Sequence, residues 1–160
     1  MRDAEFERLY AEHAPGLFSF LAYRTGDRIL AEDLVADTFE RVFRARRRFD
    51  PRKGREKAWV YAIAMNLLRD GARRRRTEEQ VLERVGAGAE GGHSPHGEVD
   101  ARDEVQRALQ VLSPEERDVI ALRFGGELTA PEIARVIDQS LTTTEGRLYR
   151  ALRKLRDELG

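Results

Sequence analysis

Fourteen arginine and lysine side chains stand between residues 41 and 76, RVFRARRRFDPRKGREKAWVYAIAMNLLRDGARRRR, against three carboxylates. Cations at that density can neutralise a polyanion through charge-assisted hydrogen bonds to its phosphates. Trp59 and Tyr61 sit at the centre of the segment. An aromatic there could support an open nucleic-acid strand by stacking. A tryptophan in an apolar helical stripe is more often core, and core is the reading favoured for Trp59. The other 124 residues carry 15 basic and 26 acidic side chains, so a neutral chain is the sum of +11 and −11. Of the 29 basic residues 26 are Arg, which suits planar, bidentate contacts to phosphate or base edges. A GC-rich genome would give the same bias.

Other chemistries find little support. The three histidines are His13 near a helix end and His93 and His96 in a glycine-rich stretch, too few for a metal site. Glu78-Glu79 and Glu115-Glu116 fit solvated or capping positions. The chain has no cysteine, which excludes disulfides, thiolate metal sites and cysteine nucleophiles. No glycine loop is built to cradle a nucleotide phosphate. The expectation is therefore a protein that is not an enzyme and needs no cofactor or metal. No apolar run approaches the roughly 20 residues that span a bilayer, and MRDAEFERLYAEH lacks a signal-peptide core. A cytoplasmic location follows as an expectation.

Helices must position the basic side chains. Phe6, Leu9 and Tyr10 form one stripe over 3–13, and Leu17, Phe18, Phe20 and Leu21 continue an apolar face after Pro15-Gly16. Thr25-Gly26-Asp27 is a turn. A long helix over about 29–48 turns Leu30, Leu34, Val35, Thr38, Phe39, Val42 and Phe43 inward. Pro51 and Gly54 stop it. A second long helix over about 55–76 buries Trp59, Val60, Ile63, Ala64, Leu67 and Leu68 and ends in Arg73-Arg74-Arg75-Arg76. Residues 77–100 hold Gly86, Gly88, Gly91, Gly92, Pro95 and Gly97 with an acidic charge. They predict a flexible linker, with a short helix around 77–85. The expected architecture is all-α: a four-helix domain over 1–76, the linker over 77–100, and a second helical domain over 101–160.

The second domain carries its own signals. Val105, Leu109 and Leu112 share a face. Ser113-Pro114-Glu115-Glu116 supplies an N-cap, a proline at the first helical position and a reciprocal glutamate. Gly125-Gly126 ends that helix, and Thr129-Ala130-Pro131-Glu132 opens the next in the same way. Thr142-Thr143-Thr144-Glu145 offers a third capping box. EIARVIDQSLTTTEGRLYRALRKLRDEL thus has helix-turn-helix spacing, a short helix over 132–137 and a longer one from about Thr142. Arg147 and Arg150, three residues apart, can project together into a DNA groove, onto phosphates or guanine edges.

On these residues the chain closely resembles a bacterial alternative sigma factor of the extracytoplasmic-function group. AEDLVADTFERVFRARRRFDP and AWVYAIAMNLLRDGARRRR match the family's amino-terminal module. VLSPEERDVIALRF, EIARVIDQS and RLYRALRKLRDEL match its carboxyl-terminal one. The resemblance implies partners: core RNA polymerase, promoter DNA and an anti-sigma factor, with nucleoid association when polymerase is bound. It also implies site residues. Asp33, Leu34, Asp37, Thr38, Phe39 and Val42 resemble the polymerase-docking surface, although Leu34 and Phe39 equally suit a core. Arg52, Lys53, Arg55, Asn66, Arg69 and Arg73 resemble the surface for the opened −10 element, the 49–55 loop capturing an unstacked base. Thr142, Thr143, Glu145, Arg147 and Arg150 fall on the −35 recognition helix.

Some positions depart from the family pattern. Ala36 stands where glutamine is common, removing a polar contact. Thr144 puts a hydroxyl where a methyl would bury better, Glu145 replaces a cation facing DNA, and Gly146 adds backbone entropy. A glutamate can still accept from cytosine N4, so altered specificity is one outcome. Two other readings stay open: a dimeric helix-turn-helix regulator that binds an operator alone, and a diverged sigma-like protein acting mainly through protein partners.

Overall fold

A computed structural model describes residues 2–85, 104 and 107–160, and no strand occurs among them. In order they form α1 (Asp3–Thr25), α2 (Arg28–Arg44), short 3₁₀ turns at Arg46–Arg48 and Pro51–Lys53, and α3 (Glu56–Val85). After 107–109, also helical, come α4 (Pro114–Ile120) running into a π turn (Ala121–Gly125), α5 (Ala130–Val136) and α6 (Leu141–Leu159). The Gly-rich stretch 86–100, with His93 and His96, and Val105 lie outside the described residues.

Pro15 does not break the first helix: α1 runs through it, so three helices stand where four are expected. A proline in a helix interior costs about 3 kcal/mol. Leu9, Leu17, Phe20 and Leu21 are completely buried along one face of the continuous helix. Each contributes roughly 1.5–3 kcal/mol, so together they outweigh the lost hydrogen bond. Gly26, at φ +71°, then ends α1, its N–H bonding the Ala22 carbonyl at 2.9 Å. Asp27 caps α2 by accepting from the Ile29 and Leu30 N–H groups at 3.0 and 3.1 Å.

α2 stops at Arg44, four residues before the expected end. Arg41, Arg44 and Arg48 would share one face of a longer helix, and like charges at that spacing repel. The chain tightens instead: the Arg48 N–H bonds the Ala45 carbonyl at 2.8 Å, and the Arg46 guanidinium lies 3.8 Å from the Phe43 ring centroid. α3 errs the other way. It passes Arg76 and continues to Val85, so the expected boundary at 76/77 falls inside one helix.

The carboxyl-terminal helices follow their caps. Ser113 with Glu116 and Thr129 with Glu132 both form complete capping boxes. The third expected box does not form. Ser140 caps α6, accepting from the Thr143 N–H at 3.1 Å, which starts the helix ahead of Thr142. Between α5 and α6 the Gln139 N–H bonds the Ala134 carbonyl at 2.9 Å and Asp138 takes a left-handed φ of +56°. This is a Schellman turn with aspartate where glycine is usual. It sets the angle of the helix-turn-helix.

The two halves share one hydrophobic core. α1 packs on the π turn and α3 on α5. Tyr61 of α3 is buried against Phe20 of α1, with ring centroids 5.3 Å apart. Gly126 also lies close against the Tyr61 ring. A Cβ on Gly126 would lie 2.9 Å from Tyr61 Cε2, so only glycine allows this approach. Leu122, Leu128 and Ile133, from the second half, are completely buried in the same cluster.

Candidate nucleic-acid interface

α2 presents two different faces. Asp33 and Asp37 are exposed, with Glu32, Ala36 and Glu40 beside them. Leu34, Thr38, Phe39 and Val42 are buried, and the Thr38 hydroxyl donates to the Leu34 carbonyl at 2.6 Å. Phe39 meets Tyr10 edge-on at 4.9 Å. Four of the six side chains expected to dock on polymerase are therefore turned into this protein's own core. The 3.6-residue period of α2 that exposes Asp33 and Asp37 buries them. What remains for a partner is an acidic ridge held by apolar packing underneath.

The 49–55 loop is shaped by Asp50. Its carboxylate accepts from the Arg52 N–H at 3.0 Å and from Arg52 Nε at 3.2 Å. These two bonds, the backbone one first, hold the Asp50 carboxyl below its usual range. Arg52 is 89% exposed beside exposed Lys53. Phe49 covers the half-buried Trp59 at 5.0 Å, which makes Trp59 a support of the loop as well as a border of the core. The loop, α1, the first turn of α3 and α5 line a cleft of about 600 Å³ whose wall includes Arg8, Arg52, Arg55, Lys57 and Arg135 together with the carboxylates of Glu12 and Glu56. Asn66 and Arg73 are exposed on α3.

Arg55 and Arg69 differ from their neighbours because both meet carboxylates of the second half. Arg55 grips Glu132 of α5 with two parallel bonds, Nε to Oε2 and Nη2 to Oε1, the second at 2.6 Å. The Arg55 bonds, foremost among the causes, pull the Glu132 carboxyl down to about 2. Arg135 of α5 donates to the Lys53 carbonyl across the same seam. At a second seam Asp118 of α4 accepts from Arg24 Nε at 2.6 Å and stands 4.0 Å from Arg69 Nη2. Burial pushes the Asp118 carboxyl above its usual range, against the pull of both arginines.

The second helix of the helix-turn-helix, α6, offers Thr142, Glu145 and Arg150 to solvent, with Thr143 and Arg147 half-buried. Ser140 Oγ donates to Thr143 Oγ1 at 2.9 Å, so Thr143 belongs as much to the cap as to an outer surface. Thr144 is completely buried, yet its hydroxyl donates to the Ser140 carbonyl at 2.9 Å, which removes most of the cost expected of it. The Arg150 guanidinium folds back over Gly146, 3.2 Å from where a Cβ would sit. Tyr149, 68% exposed beside Arg150, escaped the sequence reading. So did Arg24, Asp118 and Arg135, because nothing local marks a pair more than 80 residues apart.

Residues 9–78 match the family Sigma-70 region 2, and residues 102–155 match Sigma-70, region 4. The RNA polymerase sigma factor CarQ of Myxococcus xanthus is 33% identical over 97% of this chain and 89% of its own length. The ECF RNA polymerase sigma factor SigE of Mycolicibacterium smegmatis is 32% identical over 96% of this chain, which spans 61% of that relative. Among solved structures, the sigma factor RpoE of Bartonella quintana in complex with the anti-sigma factor NepR aligns with a TM-score of 0.80. That match has 26% identity and covers 97% of this chain and 96% of the other. CnrH in complex with the cytosolic domain of CnrY aligns with a TM-score of 0.72 at 29% identity, covering 99% and 89%.

Proposed function

Since this chain belongs to the sigma-70 family, in its extracytoplasmic-function group, we propose that its two halves divide promoter recognition between them in a way its exposed residues define. The protein is a sigma factor that directs promoter-specific transcription. One observation carries the reading: a basic region-2 surface and a region-4 helix-turn-helix occur together on one chain. The amino-terminal half, through α3, docks on core RNA polymerase and holds the opened −10 strand; the half over 101–160 reads the −35 duplex; the stretch after α3 connects them.

In this proposal Asp33 and Asp37 meet a basic polymerase surface, where charge complementarity steers docking. Leu34, Thr38, Phe39 and Val42 keep that ridge rigid from within. Arg52, Lys53, Arg55, Arg69 and Arg73 hold strand phosphates, and Asn66 offers a donor and an acceptor to one base edge. Thr142, Thr143, Arg147 and Arg150 meet the −35 groove, and Glu145 selects cytosine or repels. Opening draws on binding energy with no hydrolysis by this chain, in the cytoplasm and on the nucleoid once polymerase is bound. Its likeness to sigma factors held by anti-sigma factors supports a partner of that class here too.

Transcription by purified core polymerase on genomic DNA tests this. With the protein present, new transcript starts should appear that share paired upstream elements. Folded protein and active polymerase without new starts would overturn it, and specific duplex binding by the protein alone would favour a stand-alone regulator.

A further inference from the structure

The end of α2 gathers a second set of cations, apart from the cleft and the seams. We infer that Arg41, Arg44 and Arg48 form a binding site for a condensed phosphate, a compact anion of two or three linked phosphoryl groups, either free or as the end of a nucleotide. The site stands without the proposed function, and only its effect on docking rests on that reading.

The three arginines and Ala45 line a hollow of about 200 Å³, room for several water molecules at roughly 30 Å³ each. Among the described residues no carboxylate belongs to that lining. The cleft beside the 49–55 loop differs in this respect, since Glu12 and Glu56 stand among its cations. Arg41 and Arg48 are exposed and in no ion pair among the described residues. Arg44 has one partner, Glu40 at 2.6 Å, and the two side chains are 76% and 57% exposed. Solvent leaves such a pair worth little, so Arg44 can turn to a stronger anion.

The backbone brings these cations together against their own repulsion. After Arg44 the chain tightens into the 3₁₀ turn, where the Arg48 N–H bonds the Ala45 carbonyl, and Arg48 returns to the side of Arg41 and Arg44. Arg46 is withdrawn, donating to the Phe43 carbonyl at 2.7 Å and lying over the Phe43 ring. Phosphoryl oxygens suit the arginines that remain, because each guanidinium offers a planar fork of donors. A strand phosphate carries a single charge, whereas a condensed phosphate brings several into one hollow. None of Arg52, Lys53, Arg55, Asn66, Arg69 and Arg73 lines it. Occupancy would also alter the outer face of α2, where Arg41 follows Asp37 and Arg44 follows Glu40 by one turn. With the cations covered, the acidic ridge continues to the helix end and favours a basic polymerase surface.

Isothermal titration of the full-length protein with sodium tripolyphosphate tests the site, in about 150 mM potassium chloride so that distant charges are screened. Tripolyphosphate should bind about tenfold tighter than orthophosphate, because it fills more guanidinium forks at once. The double variant Arg41→Gln, Arg48→Gln should lose about tenfold of that affinity, whereas Arg74→Gln, at an exposed arginine elsewhere, should keep it. Glutamine is a good helix former, so the end of α2 should persist, which circular dichroism checks. Adenosine triphosphate separates the two sources: affinity no greater than that of tripolyphosphate assigns the site to the phosphate chain alone, and tighter binding assigns it to a nucleotide. Equal binding of tripolyphosphate and orthophosphate, or equal affinity in parent and double variant, would overturn the inference. So would a double variant that loses only its binding to a mixed-sequence single strand. Tripolyphosphate should also tighten the parent's binding to core polymerase about threefold and leave that of the double variant unchanged; an equal response would remove the effect on docking. Promoter-directed transcription without condensed phosphate reads the proposed function separately.

Discussion

Glu132 illustrates how one side chain can hold two structures at once. It completes the capping box with Thr129 and clamps Arg55 across the seam. Its carboxyl is depressed from 4.5 to about 2, chiefly by Arg55. A depressed carboxyl stabilises the fold fully above its ordinary value and loses that contribution as pH falls through the lowered one. The clamp should therefore persist at pH 4 and fail only towards pH 2. An NMR titration of the Glu132 side-chain carboxyl carbon checks this, and a midpoint near 4.5 would mean that Arg55 is not its partner in solution. Sequence showed the capping half of this residue, because Thr129 lies three positions away. It hid the clamp, because Arg55 lies 77 positions away. Thr144 makes the same point with the sign reversed. A hydroxyl among apolar positions predicts a penalty, but the Ser140 carbonyl one turn back satisfies it.

At the level of elements, periodicity placed nearly every described helix and turn signals misplaced several of their ends. Pro15 does not break α1 because Leu9, Leu17, Phe20 and Leu21 lie on one continuous face, and burial along that face exceeds the local cost. α2 ends early where arginines would crowd, and α3 continues past its own arginine run. The apolar pattern of α2 alone could not say whether Leu34 and Phe39 serve a core or a partner; burial assigns them to the core. The meeting of elements was the least legible. Gly126 looked like a helix stop, and it is also the only residue type that lets the loop after the π turn close on the Tyr61 ring. Gly126→Ala should drive a methyl into that ring and cost about 1–3 kcal/mol, the usual range for overpacking. Urea denaturation followed by helical circular dichroism would measure it, and an unchanged midpoint would show that the halves do not close in this way in solution.

For the whole molecule, the division into a +11 segment and a −11 remainder is more than a composition. The basic segment meets acidic side chains of the remainder at Arg55–Glu132 and, at 4.0 Å, Arg69–Asp118, and Asp118 is held more closely by Arg24, which lies outside that segment. Sequence therefore revealed the sign of each half and the family of both, whereas their mutual arrangement depended on pairings no local pattern encodes. The Arg55 clamp also changes what salt does. A free arginine that takes a phosphate lets a condensed counterion escape from the strand, which makes binding weaken steeply with ionic strength; for single strands the slope of log K against log salt is about −0.7 per contact. An arginine that merely exchanges a carboxylate for a phosphate frees an anionic side chain at the same moment, and that side chain must gather cations of its own. The parent chain should accordingly bind single strands with a shallower salt slope than a Glu132→Gln variant, by about 0.7, measurable by anisotropy across a potassium chloride series. Parallel slopes would show that Arg55 is already free before the strand arrives. A protein built this way keeps part of its grip on an open promoter when the ionic strength around it rises.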